Sequence, residues 1–378
     1  MTRRVFIGSA AATALAPVAM GQAGGAVFAY VGCFTEVQRK GRGDGIHVYR
    51  VEPRTGNWTQ TQVLRGLVNP SFLVTSADSK TLYSSHGDEA YATAYAIDPA
   101  SGEIRVLNQG ATGGKNGAHL ALSPNGKFLI VANYISGTVA VLPVKADGGL
   151  ADFIQLVRLE GTPGPHRTEQ PGPHPHQVVF APGGKFVLIP DKGLDQVFVF
   201  RFDPATGQLT PAEPGSVQSR SAAGPRHLAF HPTLPVVWVL NEMGNTVTTY
   251  RWDATLGVLS PLRTIPTLPE DFNGNSTAAE LAVGPGAKFL YTSNRGHDSI
   301  GTFAIDPKTG FLRSVRWTAA GGKVPRYISV DPSGRYLFST NEQSDTITKF
   351  RIQGDNGMLH PEGTPIPNGS AVTIAFRA

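Results

Sequence analysis

The sequence has a single cysteine, Cys33, and few charged residues, which make up 16% of the chain. One cysteine excludes an intrachain disulfide and a metal site built from several cysteines. Proteins carry about 25% charged residues on average, so the low value disfavours a helical bundle, a coiled coil or a charged disordered tail. Beyond the N-terminus no apolar run reaches the roughly 20 residues of a membrane span. No run of Lys and Arg is present either, so no nucleic-acid partner is expected.

Glycine and proline, in contrast, are abundant, with 44 and 29 of the 378 residues. Together they are about one residue in five, against roughly 12% on average. Hydrophobic residues make up 40% of the chain and supply a sizeable core, while the formal net charge of +5 is modest. This composition predicts a folded protein with many turns.

The N-terminus has the pattern of an export signal. Arg3 and Arg4 precede an apolar run of small residues, and small-x-small cleavage motifs follow it. A charged start, a short apolar middle and a small-residue exit are typical of a signal peptide. Paired arginines are typical of the twin-arginine route. We therefore predict a signal peptide over residues 1–23, a periplasmic location, and a mature domain over residues 24–378 that has no membrane span.

One pattern of short strands recurs along the chain. Residues 122–133 and 330–341 each contain a strand end, a Pro-x-Gly turn and a second apolar strand that closes on Asn. A further turn glycine recurs seven times at spacings of 46 to 58 residues, at Gly56, Gly102, Gly149, Gly207, Gly257, Gly310 and Gly357. Four short strands in each unit of roughly 40–50 residues are the signature of a propeller blade. The sequence therefore predicts an all-β, seven-bladed β-propeller.

The two chain ends complement each other. Residues 27–32, 46–51 and 57–64 look like the second, third and fourth strands of a blade, and residues 369–376 look like an inner strand with no blade after it. Joining these segments in one blade would close the ring and hide exposed strand edges. An open solenoid would need capping repeats, which the sequence lacks. We predict a ring closed by pairing of the N- and C-terminal strands.

Aligning the repeats places chemically reactive residues at equivalent positions. The inner strands begin with Ser71, Ala118, His176, Arg226, Ala279, Arg326 and Ser370, and continue with Phe72, His119, Gln177, His227, Glu280, Tyr327 and Ala371. The second strands are followed by Cys33, His86, Tyr134, Lys192, Glu242, Arg295 and Glu342. In an antiparallel blade both positions lie at the same mouth of the central channel. The charged members of both sets should therefore gather there.

Structural explanations compete with this interpretation. The Asn that closes the second strand recurs in most blades, which favours a turn residue bonded to local backbone over a metal ligand. His119 and His227 fit satisfied histidines between blades equally well. The charged residues could also form a purely structural ion-pair network.

The longest repeat spacing contains a proline-rich insertion, residues 161–176. Its His174 and His176 stand two residues apart, like a metal-binding pair. No carboxylate or third histidine lies at a motif spacing from them, so the pattern favours a rigid rim loop that places His176. We predict no metal site.

Several motifs resemble those of the propeller-type lactonases, a family of bacterial 6-phosphogluconolactonases and fungal carboxymuconate lactonizing enzymes. They are Gly224-Pro-Arg-His-Leu-Ala-Phe-His-Pro232, Asn241-Glu242, His174-Pro-His176, Asn294-Arg295 and Val324-Pro-Arg326. The resemblance covers the chain from about Val27 onward. It implies a seven-bladed propeller with no obligatory cofactor and with its site at the channel mouth, and it implies catalytic roles for His176, Arg226, Glu242 and Arg295.

The expected reaction is hydrolysis of a small anionic or sugar lactone. Arg226 and Arg295 would donate hydrogen bonds to the carbonyl oxygen as negative charge develops on it, or would bind a carboxylate or phosphate. Glu242 would take a proton from water and His176 would protonate the ring oxygen, although the reverse assignment remains open.

Four other residues are expected to line the pocket as substrate-binding groups, namely His119, His227, Glu280 and Arg326. The predicted export separates this protein from cytosolic 6-phosphogluconolactone, so the substrate stays open. Two alternatives also remain. A cycloisomerase of the carboxymuconate lactonizing type would use similar Arg and Glu chemistry, and a non-catalytic periplasmic propeller would only bind a partner.

Overall fold

The computed structural model describes residues 27–377, so the predicted signal peptide lies outside the described residues. The described chain contains 29 β-strands and two short 3-10 helices, Val37–Arg39 and Pro285–Ala287. The strands form seven antiparallel sheets, here called blades 1 to 7. Within residues 27–377 there is no helix with the length and apolarity needed to cross a membrane.

The first four blades each have four strands. Blade 1 consists, from the innermost strand outward, of β29 (Ala371–Arg377), β1 (Val27–Cys33), β2 (Ile46–Val51) and β3 (Trp58–Leu64). Blade 2 consists of β4 (Pro70–Thr75), β5 (Thr81–His86), β6 (Tyr91–Ile97) and β7 (Ile104–Ala111). Blade 3 consists of β8 (Gly117–Leu122), β9 (Phe128–Asn133), β10 (Thr138–Pro143) and β11 (Gln155–Arg158). Blade 4 consists of β12 (Val179–Phe180), β13 (Phe186–Asp191), β14 (Gln196–Phe202) and β15 (Leu209–Gln218).

The last three blades follow the same order. Blade 5 consists of β16 (Pro225–Phe230), β17 (Val236–Asn241), β18 (Thr246–Asp253) and β19 (Val258–Pro266). Blade 6 consists of β20 (Thr277–Val283), β21 (Phe289–Arg295), β22 (Ser299–Ile305) and β23 (Leu312–Ala319). Blade 7 consists of β24 (Pro325–Val330), β25 (Tyr336–Asn341), β26 (Thr346–Ile352) and β27 (Leu359–Pro361), with β28 (Ile366–Pro367) also paired to β26.

The ring closes as the sequence predicts. Strand β29 pairs antiparallel with β1, so the last described strand is the innermost strand of the first blade. Strand β2 has the predicted bounds, 46–51, and the other terminal strands begin or end within about two residues of their predicted positions. The all-β, seven-bladed prediction is confirmed.

Apolar side chains lie between the blades. Seven buried clusters occur, one between each pair of neighbouring blades. Between blades 5 and 6, fully buried Trp238 packs with Phe303, and its indole nitrogen donates to the carbonyl of Gly310 at 2.9 Å. Tyr336 and Phe338 pack in the same way against blade 1. Each blade thus buries both faces against its neighbours, which explains why the units are stable only as a ring.

The inner strands carry β-bulges near their first residues. In blades 2, 3, 5 and 7 the pairing skips one residue, respectively Ser71, Ala118, Arg226 and Arg326. Blade 6 skips two, Ala279 and Glu280, and blade 1 skips Val372. A bulged residue leaves the ladder and its side chain is turned by the local bend. In blade 1, the inner-strand position that the sequence analysis assigned to Ser370 is therefore held by Val372.

Blade 4 departs from the predicted strand start at His176. Its inner strand is limited to Val179–Phe180, and only an isolated bridge joins Pro175 to Asp191. The His176 amide donates to the carbonyl of Pro190 at 3.0 Å. Pro190 has no N–H, so it cannot donate the second hydrogen bond that a regular antiparallel pair would have. His176 therefore lies in an irregular segment before the strand, at the place where the other blades have their bulge.

The recurring Asn residues have the structural role that the sequence favours. The Asn133 amide donates to the Thr112 carbonyl at 3.0 Å and to the Thr138 hydroxyl at 3.1 Å. The Asn241 amide donates to two threonine hydroxyls of its own blade. These side chains tie the end of the second strand to its neighbours.

Candidate active site

A cavity of about 210 Å³ opens at one mouth of the central channel. Each blade contributes the residue at its inner-strand irregularity, and these seven are Val372, Ser71, Ala118, His176, Arg226, Glu280 and Arg326. The ends of second strands add Tyr134, Glu242 and Arg295, and the inner strand of blade 5 adds His227. The structure therefore brings together seven of the eight predicted site residues, although they are far apart in the sequence.

His119 is the exception. It does not line this cavity but a wider part of the channel, of about 740 Å³. Phe72 and Tyr327 line both spaces and so lie between them. The His119 ring is tilted by 34° against Phe72, at 3.9 Å between centroids, and meets His227 edge-on at 5.7 Å. His119 therefore lies beside the wider space while its neighbour Ala118 faces the mouth, and its contact with substrate stays a prediction.

Glu242 lies at the centre of the charged residues. Its Oε2 is 2.5 Å from Arg226 Nη1, and its Oε1 is 3.1 Å from Arg295 Nη2 and 3.2 Å from Lys192 Nζ. Burial by itself opposes the charge, but these three cations hold the pKa of Glu242 well below its usual range. Glu242 is therefore a firmly ionised carboxylate, and a weak base while all three cations remain in place.

Arg226 joins Glu242 to His176. Its Nε donates to the carbonyl of Ala279 at 2.6 Å, and its Nη1 donates to Glu242 Oε2 and to His176 Nε2, both at 2.5 Å. Its Nη2 makes no hydrogen bond to residues 27–377. Burial lowers the pKa of Arg226 to about 10, which leaves it charged at neutral pH. The guanidinium thus keeps donors for a ligand.

Arg295 has unused donors as well. Its Nη2 contacts the Ala278 carbonyl at 3.2 Å, besides Glu242. Its Nε is buried and finds no partner in the described part of the chain. Buried donors without partners are rare in folded proteins, so this atom marks a place where a ligand could accept a hydrogen bond.

Lys192 contacts Glu242 from blade 4, although it was not among the predicted catalytic or substrate-binding residues. Its ammonium group contacts Glu169 Oε2 at 2.5 Å and the Tyr134 hydroxyl at 3.3 Å, besides Glu242. Although burial opposes its charge, Glu242 and Glu169 hold the pKa of Lys192 above its usual value. Its place in the repeat could have indicated this contact, because Lys192 follows a second strand in the same way as Glu242.

The proline-rich insertion lies at the rim of the cavity. The His174 ring stacks on Tyr134 at 4.4 Å between centroids, and its Nδ1 is 2.9 Å from the Tyr134 carbonyl. His176 contacts Arg226 and His227 instead, so the two histidines do not face a common point. In the described residues no group of three or more His, Cys, Asp or Glu side chains could hold a metal.

The far side of the mouth is also cationic. Arg326 lies over the Phe34 ring at 5.1 Å and has Glu342 Oε2 at 3.4 Å from its Nη1. Arg39, also over Phe34 at 5.5 Å, pairs with Asp88. Arg39 belongs to a loop outside the repeat, so alignment of the repeats could not predict it. Four arginines and two glutamates line the cavity, which favours an anionic ligand.

With this geometry in view, comparison with known proteins gives a consistent result. Residues 28–376 match the family described as lactonase, 7-bladed beta-propeller. The 6-phosphogluconolactonase of Bacillus subtilis is 32% identical over 299 residues, covering 79% of this chain and 83% of the relative. The 6-phosphogluconolactonase of Formosa agariphila is 28% identical, covering 79% and 84%.

A solved structure supports the same assignment. The periplasmic gluconolactonase PpgL of Pseudomonas aeruginosa superposes with a TM-score of 0.85 at 32% identity, covering 93% of this chain and 99% of that one. The ring of seven blades therefore has its counterpart in a solved protein that is named a gluconolactonase. This chain belongs to the family of lactonases with a seven-bladed β-propeller.

Proposed function

We propose that this protein hydrolyses the cyclic ester of a sugar or sugar-acid lactone that carries an anionic group. The observation that carries the proposal is the convergence of Arg226 and Arg295, both with unused donors, on one cavity of about 210 Å³. The excess of arginine over glutamate in its lining supports an anionic substrate. The names of the Bacillus subtilis and Pseudomonas aeruginosa relatives support a sugar lactone.

The two arginines would stabilise the transition state. When water attacks the lactone carbonyl, negative charge develops on the carbonyl oxygen. A fixed donor aimed at that oxygen typically lowers the barrier by about 3–4 kcal/mol. Glu242 lies 2.5 Å from Arg226 and 3.1 Å from Arg295, so both guanidinium groups are oriented before substrate arrives.

We assign the base to His176 rather than to Glu242. The sequence favoured Glu242, but three cations surround its carboxylate and weaken it as a base. His176 is neutral, since burial and the nearby Arg226 charge lower its pKa well below the usual value. Its Nε2 holds a lone pair 2.5 Å from Arg226 Nη1. When the Arg226 N–H that faces His176 donates to the developing oxyanion instead, that lone pair is free to take a proton.

The proposed hydrolysis has two stages, addition of water and opening of the ring. His176 Nε2 removes a proton from water while the water oxygen bonds to the carbonyl carbon, which gives a tetrahedral oxyanion facing Arg226 and Arg295. The oxyanion then reforms the carbonyl and the bond from carbon to ring oxygen breaks. His176 returns its proton to the ring oxygen. The product is a hydroxy acid, whose ionisation releases a proton to solution.

Acid release in a pH-stat tests the proposal. The purified protein would be given gluconolactone, a phosphorylated sugar lactone and a carboxylated lactone, each against its spontaneous hydrolysis. We expect acid release above the blank, and faster turnover of the anionic lactones. Arg295→Ala should lower kcat/KM by about 100-fold. Arg316→Ala, which removes an exposed arginine from the same blade, should have no effect.

Other outcomes would contradict the proposal. A muconate absorbance change without acid release would indicate a cycloisomerase. Acid release that Arg295→Ala leaves unchanged would place the chemistry elsewhere. Turnover of no substrate, with binding of one of them, would favour a non-catalytic binding propeller.

We also propose that residues 1–23 direct export by the twin-arginine route and that the protein works in the periplasm. The pair Arg3–Arg4 before an apolar run supports this, as does the periplasmic name of the Pseudomonas aeruginosa neighbour. Fractionation of cells that make the full chain tests it. Replacing both arginines with lysine should leave the protein in the cytoplasm, and unchanged periplasmic recovery of that variant would contradict the proposal.

A further inference from the structure

A line of hydrogen-bonded side chains leads from Arg226 away from Glu242. Arg226 Nη1 is 2.5 Å from His176 Nε2, and His176 Nδ1 is 3.2 Å from His227 Nε2. His227 Nδ1 is in turn 2.8 Å from Glu280 Oε1. The four residues come from three neighbouring blades, and each is less than 10% exposed. Water does not compete strongly for these contacts, so they are well defined.

The donors in this line have one consistent direction. A guanidinium group can only donate, so His176 Nε2 accepts from Arg226. Neutral His176 then carries its proton on Nδ1 and donates it to His227 Nε2. His227 carries its own proton on Nδ1 and donates it to the Glu280 carboxylate. Each histidine is thereby restricted to the Nδ1–H tautomer.

The end of the line is fixed by the backbone. Glu280 Oε1 also accepts the Leu281 amide at 2.9 Å, which orients the carboxylate within β20. His119 meets the His227 ring edge-on from blade 3, at 5.7 Å. The bulge of blade 6 turns Glu280 toward blade 5, so this contact is built into the strand geometry.

The charged and titratable groups around His176 come from several blades. Arg226, Glu242 and Arg326 act on it electrostatically, and Tyr134 meets its ring edge-on at 5.5 Å. Two of these neighbours are arginines and one is an uncharged tyrosine. The one anion among them, Glu242, already contacts Arg226, Arg295 and Lys192. Glu280 is the carboxylate that reaches His176 through a hydrogen-bonded imidazole.

We propose that His227 and Glu280 are positioning residues, which act through His176 instead of contacting the substrate as the sequence suggested. They hold His176 with its Nε2 lone pair toward the reacting water and stabilise the imidazolium formed when that lone pair takes a proton. The proton stays on His176 Nε2 until it passes to the ring oxygen, and His227 and Glu280 keep their own protonation states. This role rests on the proposed lactone hydrolysis.

Two substitutions separate orientation from charge. His227→Phe removes the acceptor for His176 Nδ1–H, and we expect kcat to fall about 10- to 100-fold with KM changed less than about threefold. Glu280→Gln keeps an acceptor for His227 but removes the negative charge. It should lower kcat by about tenfold or less and move the acid limb of the kcat–pH profile to lower pH, because the imidazolium is less stabilised.

His86→Phe is the matched control. His86 is a fully buried histidine of blade 2 with local partners, Ser84, Thr93 and the Val68 carbonyl, and it does not line the cavity. Its substitution should lower the melting temperature as much as His227→Phe does, without changing kcat or its pH profile. A purely structural role of His227 would make the two variants alike in activity.

Nitrogen-15 NMR of the histidine rings gives a readout that does not depend on turnover. In the unaltered protein at pH 7, His176 should show a protonated Nδ1 and an unprotonated Nε2. In His227→Phe the proton should stay on Nδ1, because Arg226 still donates to Nε2, but the Nδ1–H loses its acceptor and its signal should move accordingly. An Nδ1 signal that is unchanged in His227→Phe, or a kcat of that variant within threefold of the original, would overturn the inference. If the unaltered protein hydrolysed no lactone, the proposed function would fail, while the NMR experiment would still decide the tautomer.

Discussion

Blades 5 and 7 contain the same motif with different consequences. Each has a Pro-Arg pair at the inner-strand bulge and an Asn-Glu pair at the end of the second strand. In blade 5, Arg226 and Glu242 lie 2.5 Å apart with side chains 5% and 8% exposed. In blade 7, Arg326 and Glu342 lie 3.4 Å apart with side chains 24% and 15% exposed.

The neighbouring blades explain the difference. Glu242 receives Lys192 from blade 4 and Arg295 from blade 6, so its burial is compensated from both sides. The corresponding position of blade 1, beside blade 7, holds Cys33, a buried thiol that donates to the Gly45 carbonyl at 2.8 Å. A buried carboxylate needs several partners to offset its desolvation. The same local motif therefore becomes the centre of a buried charge cluster in one blade and a longer, less buried ion pair in the other.

The largest expected effect comes from removing the two arginines in turn. Arg226→Ala should lower kcat/KM by about 1,000-fold, since a transition-state donor and the partner of His176 are lost together. Arg326→Ala should lower it about tenfold, mainly through KM, if this residue contacts only the anionic group. Steady-state kinetics on one lactone measure both, with exposed Arg251→Ala of blade 5 as control. Equal losses would mean that the two blades share the chemistry.

The second largest effect should come from replacing Glu242 of blade 5, compared with Glu342 of blade 7. Glu242→Gln leaves three cations without a counter-charge, so we expect kcat/KM to fall about 100-fold. The melting temperature should fall by about 5 °C or more, because breaking a buried ion pair destabilises by about 3–5 kcal/mol. Glu342→Gln should change either quantity less, since the pair with Arg326 is longer, at 3.4 Å, and partly open to solvent. Calorimetry and kinetics on both variants check this, and a large effect of Glu342→Gln would contradict it.

A pH profile sharpens the contrast. Three cations hold the pKa of Glu242 low, and removing one should raise it. Because the ionised form is needed to orient the arginines, Lys192→Met should let protonation of Glu242 add to that of His176, so that the acid limb of kcat/KM becomes steeper and moves to higher pH. Lys349→Met is the matched control, as Lys349 is a buried lysine of blade 7 paired with Glu362 at 3.3 Å. An acid limb that does not move would show that Lys192 has no influence on Glu242.

The smallest effect concerns the residue before each Pro-Arg pair. Gly224 and Val324 both adopt a positive φ, 64° and 58°. This conformation suits glycine but strains a β-branched side chain. Val324→Gly should therefore raise the melting temperature by about 1–3 °C while leaving kcat unchanged. Thermal unfolding measures it, and a lower melting temperature would mean that packing of the valine outweighs its strain.

Most of what could be predicted about the fold and the site came from the repeat in the sequence. Glycine spacing and strand pattern were sufficient for seven blades and for closure by β29, because both depend on local turn chemistry and on edges that must pair. Alignment of the repeats also brought Arg226, Glu242 and Arg295 to one mouth. Positions within a repeat are fixed by the fold, so they transfer from one blade to the next.

What the sequence could not reveal depends on contacts between blades. Arg39 lies in a loop outside the repeat, and His119 lines the wider part of the channel and not the mouth. The contact between Lys192 and Glu169 requires the insertion to lie against the rim. His227 and Glu280 line the cavity as predicted, and the structure also pairs them with each other at 2.8 Å. None of these partners is set by spacing along the chain.

The bulges have a consequence for how such a pocket could diversify. The extra residue of each inner strand stands outside the backbone ladder, so its side chain can change without disturbing the pairing on either side. In blades 1 to 3 these positions hold the small residues Val372, Ser71 and Ala118, whereas blades 4 to 7 supply the charged or ionisable ones. The mouth thus has a half lined by ionisable side chains and a half where side-chain size alone varies. A ligand of different shape could be accommodated by replacing side chains in blades 1 to 3 while the ionisable side chains stay unchanged.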